Sequence, residues 1–125
     1  MKVLIFGTFD HFHPGHIFVL TEAMKRGDVI VIVARDVNVE RIKGRLPSES
    51  ETGRAQTIKK LFPAVTVLLG DPKDFLAPVR SVQPDLILLG YDQQLPPGVT
   101  EADFPCPVER LAAYKPEQFK SSKRR

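Results

Sequence analysis

Val3-Leu4-Ile5-Phe6-Gly7-Thr8-Phe9-Asp10-His11-Phe12-His13-Pro14-Gly15-His16 decides how this chain folds. A short apolar run leads into a turn at Gly7-Thr8-Phe9-Asp10, and Pro14 then opens an amphipathic stretch that continues from Ile17 to Arg26. Proline suits the first turn of a helix, where its missing N–H costs nothing. The segment reads as strand, turn and helix. In an α/β sheet that junction offers backbone N–H groups and the positive end of a helix dipole to a bound anion. Two histidines and a glycine placed there point to phosphate chemistry.

The remainder of the chain repeats the alternation. Val29 to Ala34, Val65 to Leu69 and Leu86 to Leu89 are further apolar runs, and Val108 to Leu111 is a weaker fifth. Continuous β-branched runs without polar alternation indicate strands covered on both faces, as in a parallel sheet. Helices are expected over Pro14 to Arg26, Thr52 to Phe62 and Asp74 to Val82, with Asp74 as an N-cap. The expected fold class is α/β: one Rossmann-like, doubly wound parallel sheet of about five strands with helices on both faces. Asn38 to Ser50 is too polar and interrupted to be core and reads as a long functional loop, and Gln93 to Phe104 reads as a second loop.

At 125 residues the chain is expected to form a single domain, residues 1–125, with a core of its own. Apolar residues make up 42% and charged residues 26%, the balance of a globular protein. No apolar run approaches the roughly 20 residues of a membrane span, so no membrane partner is expected. The start, Met1 to Gly7, is too short for a signal-peptide apolar region, and Cys106 is the only cysteine. A cytoplasmic location follows as an expectation. Net charge is +3, too mild to argue for nucleic acid. Basic residues nevertheless gather at Arg41, Lys43, Arg45 and Arg54, and again at Lys120, Lys123, Arg124 and Arg125.

Within the opening segment, Thr8 and Phe9 supply N–H donors for a phosphate, and Gly15 leaves room for a ligand to approach the backbone. His13 and His16 stand three apart on the first helical turn, so both rings can face one side. As imidazolium groups they would donate to phosphate oxygens and stabilise charge developing in a transition state. Polar capping of a helix end is the plainer alternative. A metal pair would want a third or fourth ligand, so no metal site is assigned. His11 is left outside the constellation. For Lys43 and Arg45 a solvated loop is the competing reading, and Arg35-Asp36 is either an orienting pair or a salt-bridged anchor.

Gly7 to His16 closely resembles the signature of the cytidylyltransferase-like nucleotidyltransferases, whose hallmark is His-x-Gly-His after a first strand. The resemblance implies transfer of a nucleoside monophosphate from a triphosphate to a phosphorylated acceptor, with release of pyrophosphate. It implies that His13 and His16 stabilise the α-phosphate and leaving group, and that Lys43 and Arg45 align the reacting phosphates. Arg54 looks like the arginine the family holds near the basic loop. Leu89-Gly90-Tyr91-Asp92-Gln93 is similar to the family's fourth-strand end, which implies Gly90, Asp92 and Gln93 beside base and ribose. Phe119 to Lys123 resembles the second signature, in which Ser121, Ser122 and Lys123 would hold the β- and γ-phosphates. Only Arg124 and Arg125 follow, so the helix this signature opens in the family is expected either to be nearly absent here or to have last residues that stay mobile until a nucleotide binds.

Implied partners are ATP or CTP with a phosphorylated small-molecule acceptor, Mg²⁺ accompanying the triphosphate, and a second copy of the chain in a homodimer. Asp92-Gln93 stands where glycerol-3-phosphate cytidylyltransferases carry Asp-Trp, and their Arg-Thr-x-Gly-Ile-Ser-Thr-Thr segment is missing. The likeness leans towards the archaeal-type FAD synthetase branch, implying an FMN adenylyltransferase. A glycerol-3-phosphate cytidylyltransferase is the alternative, and a nucleotide-binding sensor or partner subunit is the non-enzyme reading.

Overall fold

The computed structural model describes residues 1–91 and 93–112. Five strands alternate with helices: β1 (Lys2–Gly7), α1 (Pro14–Met24), β2 (Asp28–Val33), α2 (Asp36–Lys43), α3 (Glu51–Leu61), β3 (Thr66–Leu69), α4 (Ala77–Val82), β4 (Leu86–Leu89) and β5 (Val108–Arg110). The strands pair in parallel in the order β3-β2-β1-β4-β5. Alternation along β1 divides the core. Val3 and Ile5 face Leu20, Ala23 and Ile58 from α1 and α3, while Leu4 and Phe6 face Val79 of α4 and Phe104. Helices thus cover both faces of the sheet. Chain order reverses between β1 and β4, so the turns after their carboxyl ends flank the crevice where such sheets bind ligands.

Two expectations need correction. The span Asn38 to Ser50 is not loop throughout, because α2 runs to Lys43. A single buried apolar residue, Val39, gave the helix almost no periodic signal. Its ends are nonetheless well formed. Asp36 lies in the first turn, Arg41 and Lys43 in the last, and Gly44 takes the left-handed C-cap at φ 82°. The other correction is α4, which begins at Ala77 rather than beside Asp74. A proline N–H is dispensable only in the first turn, so Pro78 fixes the start near itself. The Asp74 carboxylate still accepts the N–H of Leu76, the residue just before the helix.

Candidate active site

The histidines sit where the chain leaves β1 and enters α1. His13 is the N-cap, and its Nδ1 accepts the Gly15 N–H at 3.1 Å. The His16 Nδ1 accepts the His13 N–H at 3.3 Å, closing a reciprocal capping box. Both Nδ1 atoms are therefore acceptors, which places the ring proton of each neutral imidazole on Nε2. The rings stack with centroids 3.8 Å apart and an interplanar angle of 24°. Two stacked rings at the helix entry thereby each keep an Nε2–H donor.

Gly15 has a different reason from the one expected. A Cβ there would lie 2.9 Å from His13 Cε1, so the glycine makes room for the folded-back His13 ring. His16 also departs from expectation. Its ring meets Phe9 and Phe12 at centroid distances of 5.2 Å, and burial, then the neighbouring His13, pulls its pKa down to about 4. At neutral pH it is an uncharged donor rather than an imidazolium. Aromatic packing and capping also give it a share in the fold.

Thr8 and Phe9 form the turn after β1. Their backbone N–H groups donate to no described acceptor, whereas the Phe9 side chain is buried in the core. Phe9 and His11 both adopt positive φ, 55° and 51°. Between them Asp10 projects its carboxylate onto the α2–α3 loop, accepting from Ser48 N at 2.8 Å and Glu49 N at 3.0 Å. Those bonds, Ser48 first, hold the Asp10 carboxyl below its ordinary value. His11 Nε2 lies 2.8 Å from the Ser48 hydroxyl.

Arg54 is completely buried. Its guanidinium donates to the Thr8 carbonyl at 2.6 Å, the Glu49 carbonyl at 2.9 Å and the Asp36 carboxylate at 2.6 Å. It therefore ties the β1–α1 turn to the loop and to the first turn of α2. Glu51 continues this network, accepting from Asp36 N at 2.8 Å and from Arg35 at 3.1 Å, while Arg35 also donates to the Gly70 carbonyl. Arg35-Asp36 is thus a salt-bridged anchor that reaches the end of β3. The side chains of Lys43 and Arg45, by contrast, are exposed and make no hydrogen bond or ion pair with another described residue.

On the far side of the switch point, the Gln93 amide bridges the two turns. It accepts from Gly90 N at 3.0 Å and donates to the Phe6 carbonyl at 2.6 Å. Arg110 on β5 donates to the Gly90 carbonyl at 3.0 Å and the Gln93 carbonyl at 2.6 Å. Asp92, Ser121, Ser122 and Lys123 lie outside the described residues. Sequence reasoning missed Asp10, Glu51 and Arg110. Arg110 had little signal to find, since its hydrogen bonds go to backbone carbonyls and its one ion pair, with Glu101 at 3.7 Å, spans nine residues of chain. Asp10 had one: a lone acid in the turn that precedes the histidines.

A parallel sheet with paired imidazole donors at its switch point defines a nucleotide-binding α/β protein. The cytidylyltransferase-like family matches residues 4–118, and the chain belongs to that family. It is 41% identical over 129 residues to the FAD synthase of Methanosphaerula palustris, covering 98% of this chain and 83% of that one. To the FAD synthase of Methanopyrus kandleri it is 37% identical over 123 residues, covering 91% and 81%. The crystal structure of a lipopolysaccharide core biosynthesis protein from Thermoplasma volcanium superposes with a TM-score of 0.79 at 33% identity, over 92% of this chain and 98% of that one.

Proposed function

We propose that this nucleotidyltransferase is an FMN adenylyltransferase, forming FAD and pyrophosphate from ATP and FMN. The observation that carries the reading is the stacked His13–His16 pair at the helix entry, with both Nδ1 atoms occupied as acceptors and Nε2 left as the donor of each ring. The FAD synthase relatives support the substrate assignment.

In this reading an oxygen of the FMN phosphate attacks the α-phosphorus of ATP. The new O–P bond forms as the bond to the β-phosphate bridging oxygen breaks, and pyrophosphate leaves. The attacking phosphate is already anionic near neutral pH, so no general base is needed. Catalysis rests on alignment and on neutralising charge. His13 and His16 donate Nε2–H to oxygens of the α-phosphate and leaving group. The N–H groups of Thr8 and Phe9, without an acceptor among the described residues, extend that cradle. Lys43 and Arg45, with no protein partner among the described residues, bring positive charge to the reacting phosphates. Gly90 and Gln93 border the base and ribose, Gln93 through the turn it fixes, with Asp92 in the same segment. Ser121, Ser122 and Lys123 complete the grip on the pyrophosphate end. Arg54 acts as a positioning residue, since its guanidinium is buried among protein acceptors.

Among the described residues no group of three or more His, Cys, Asp and Glu side chains gathers as a metal site. Mg²⁺ is assigned to the nucleotide substrate, entering as its complex with the triphosphate. No helix among those residues is long and apolar enough to cross a membrane. A single domain over residues 1–125 and a cytoplasmic location belong to the same reading on the strength of length and composition, and a homodimer on the family likeness.

The test is a matrix of ATP and CTP against FMN and glycerol 3-phosphate, scored by pyrophosphate release. ATP with FMN should lead. Fastest release from CTP with glycerol 3-phosphate would replace the substrate assignment, and nucleotide binding without any release would favour a sensor.

A further inference from the structure

The loop that carries the basic residues is fastened to the histidine turn at its Ser48–Glu49 end, by Asp10 directly and by Arg54, which spans from the Thr8 carbonyl to the Glu49 carbonyl. Lys43 ends α2, Gly44 follows at φ 82°, and Arg45, Leu46 and Pro47 lead to Ser48. From Gly44 to Pro47 no backbone N–H apart from that of Gly44 itself bonds a described backbone group. At Ser48 and Glu49 the chain is caught. Both N–H groups point at the two oxygens of one carboxylate, that of Asp10, at 2.8 and 3.0 Å. The His11 contacts to Ser48 Oγ and Glu49 Oε1 lie on the same seam.

The turn is built around this contact. Phe9 and His11, the residues on either side of Asp10, both adopt the left-handed region that non-glycine residues rarely enter. Two consecutive-but-one residues in that region are retained only where surrounding structure enforces them. The Phe9 ring is buried and packs near His16, which fixes one flank, and His11 bonds the loop, which fixes the other. The outcome is a carboxylate whose two oxygens are engaged by the loop backbone. With each oxygen engaged by a backbone N–H, Asp10 is a poor candidate for direct contact with phosphate.

Resting on the adenylyltransferase reading, we infer that Asp10 is a positioning residue for the transfer. Its carboxylate latches Ser48 and Glu49 to the histidine turn and so sets where Lys43 and Arg45 stand relative to His13 and His16. The contribution is to alignment, which is where a reaction without covalent catalysis is most sensitive. Asp10 acts through the loop, so its effect depends on the cations the loop carries.

A double-mutant cycle of Asp10→Ala with Lys43→Ala tests this, alongside amide hydrogen exchange. Asp10→Ala should speed exchange at the Ser48 and Glu49 amides and lower kcat for FAD formation by roughly tenfold or more, while adding less than about threefold to Lys43→Ala. Fully additive losses would overturn the latch, as would lost turnover with exchange at Ser48 and Glu49 unchanged. Asp10→Asn, which keeps one acceptor oxygen, serves if the alanine variant does not fold. It should show intermediate turnover and retain protection at one of the two amides, and wild-type values for both would overturn the inference. If the unaltered protein forms no FAD, the functional reading fails separately. Exchange then decides the latch, and unchanged protection in the Asp10 variants overturns it.

Discussion

The α2–α3 loop has two halves of opposite character. From Lys43 to Leu46 the side chains are exposed, and neither cation has a partner among the described residues. From Ser48 to Ser50 the chain is pinned by Asp10, by His11, by Arg54 and by the Ser50 cap on Gly53 N. Three cations in and beside this loop looked equivalent as phosphate ligands in the sequence. Arg54 has its guanidinium on three protein acceptors, whereas the Lys43 and Arg45 side chains are exposed. One half of the loop builds the frame, and the other half is available to a ligand.

The largest separation between the halves should come from Lys43→Ala. Loss of a charged contact to the reacting phosphates should lower kcat/KM by roughly a hundredfold or more, while the exposed site leaves Tm almost unchanged. Arg54→Ala should do the reverse at first order. Removing it strands the Asp36 carboxylate and two carbonyls, costing about 3 kcal/mol by denaturant unfolding. Arg54→Lys should rescue little of that, because an ammonium cannot reproduce the planar fork that reaches Thr8, Glu49 and Asp36 together. A fully stable Arg54→Ala would break the comparison.

Smaller effects sharpen it. Ser50→Ala removes the N-cap of α3 and should cost about 1 kcal/mol with kcat little altered, measured by thermal unfolding and steady-state turnover. The pH dependence of stability reports on His16. Its folded pKa of about 4 lies below its ordinary 6.5, so the unfolded chain binds the proton more readily between those values. Stability should therefore fall as pH drops from about 6.5 towards 4, and His16→Gln should flatten that slope. An unchanged Tm–pH profile in the variant would show that His16 is not the titrating group.

Strand positions were legible because both-face burial leaves continuous apolar runs. Val29 to Ala34 in the sequence became Asp28–Val33 in the sheet, and Leu86 to Leu89 was found unshifted. Helix α2 was hidden because one buried side chain, Val39, cannot set a period. The histidine motif was legible as chemistry, but its geometry was not. That Gly15 makes way for a ring, and that His16 is held neutral, depends on contacts across the turn. The role of Arg54 turned on burial, to which a basic residue in a polar stretch gives no clue. The order of the halves, free cations first and anchors second, became visible only when Asp10 and Ser48 met across a sequence separation of 38 residues.

The most direct measurement is FAD and pyrophosphate followed together from ATP and FMN, in the unaltered protein and in a Lys43→Ala/Arg45→Ala variant of matched Tm. The account predicts equimolar FAD and pyrophosphate from the former, and a loss of roughly a thousandfold in kcat/KM in the latter. Equal turnover by both proteins would contradict it.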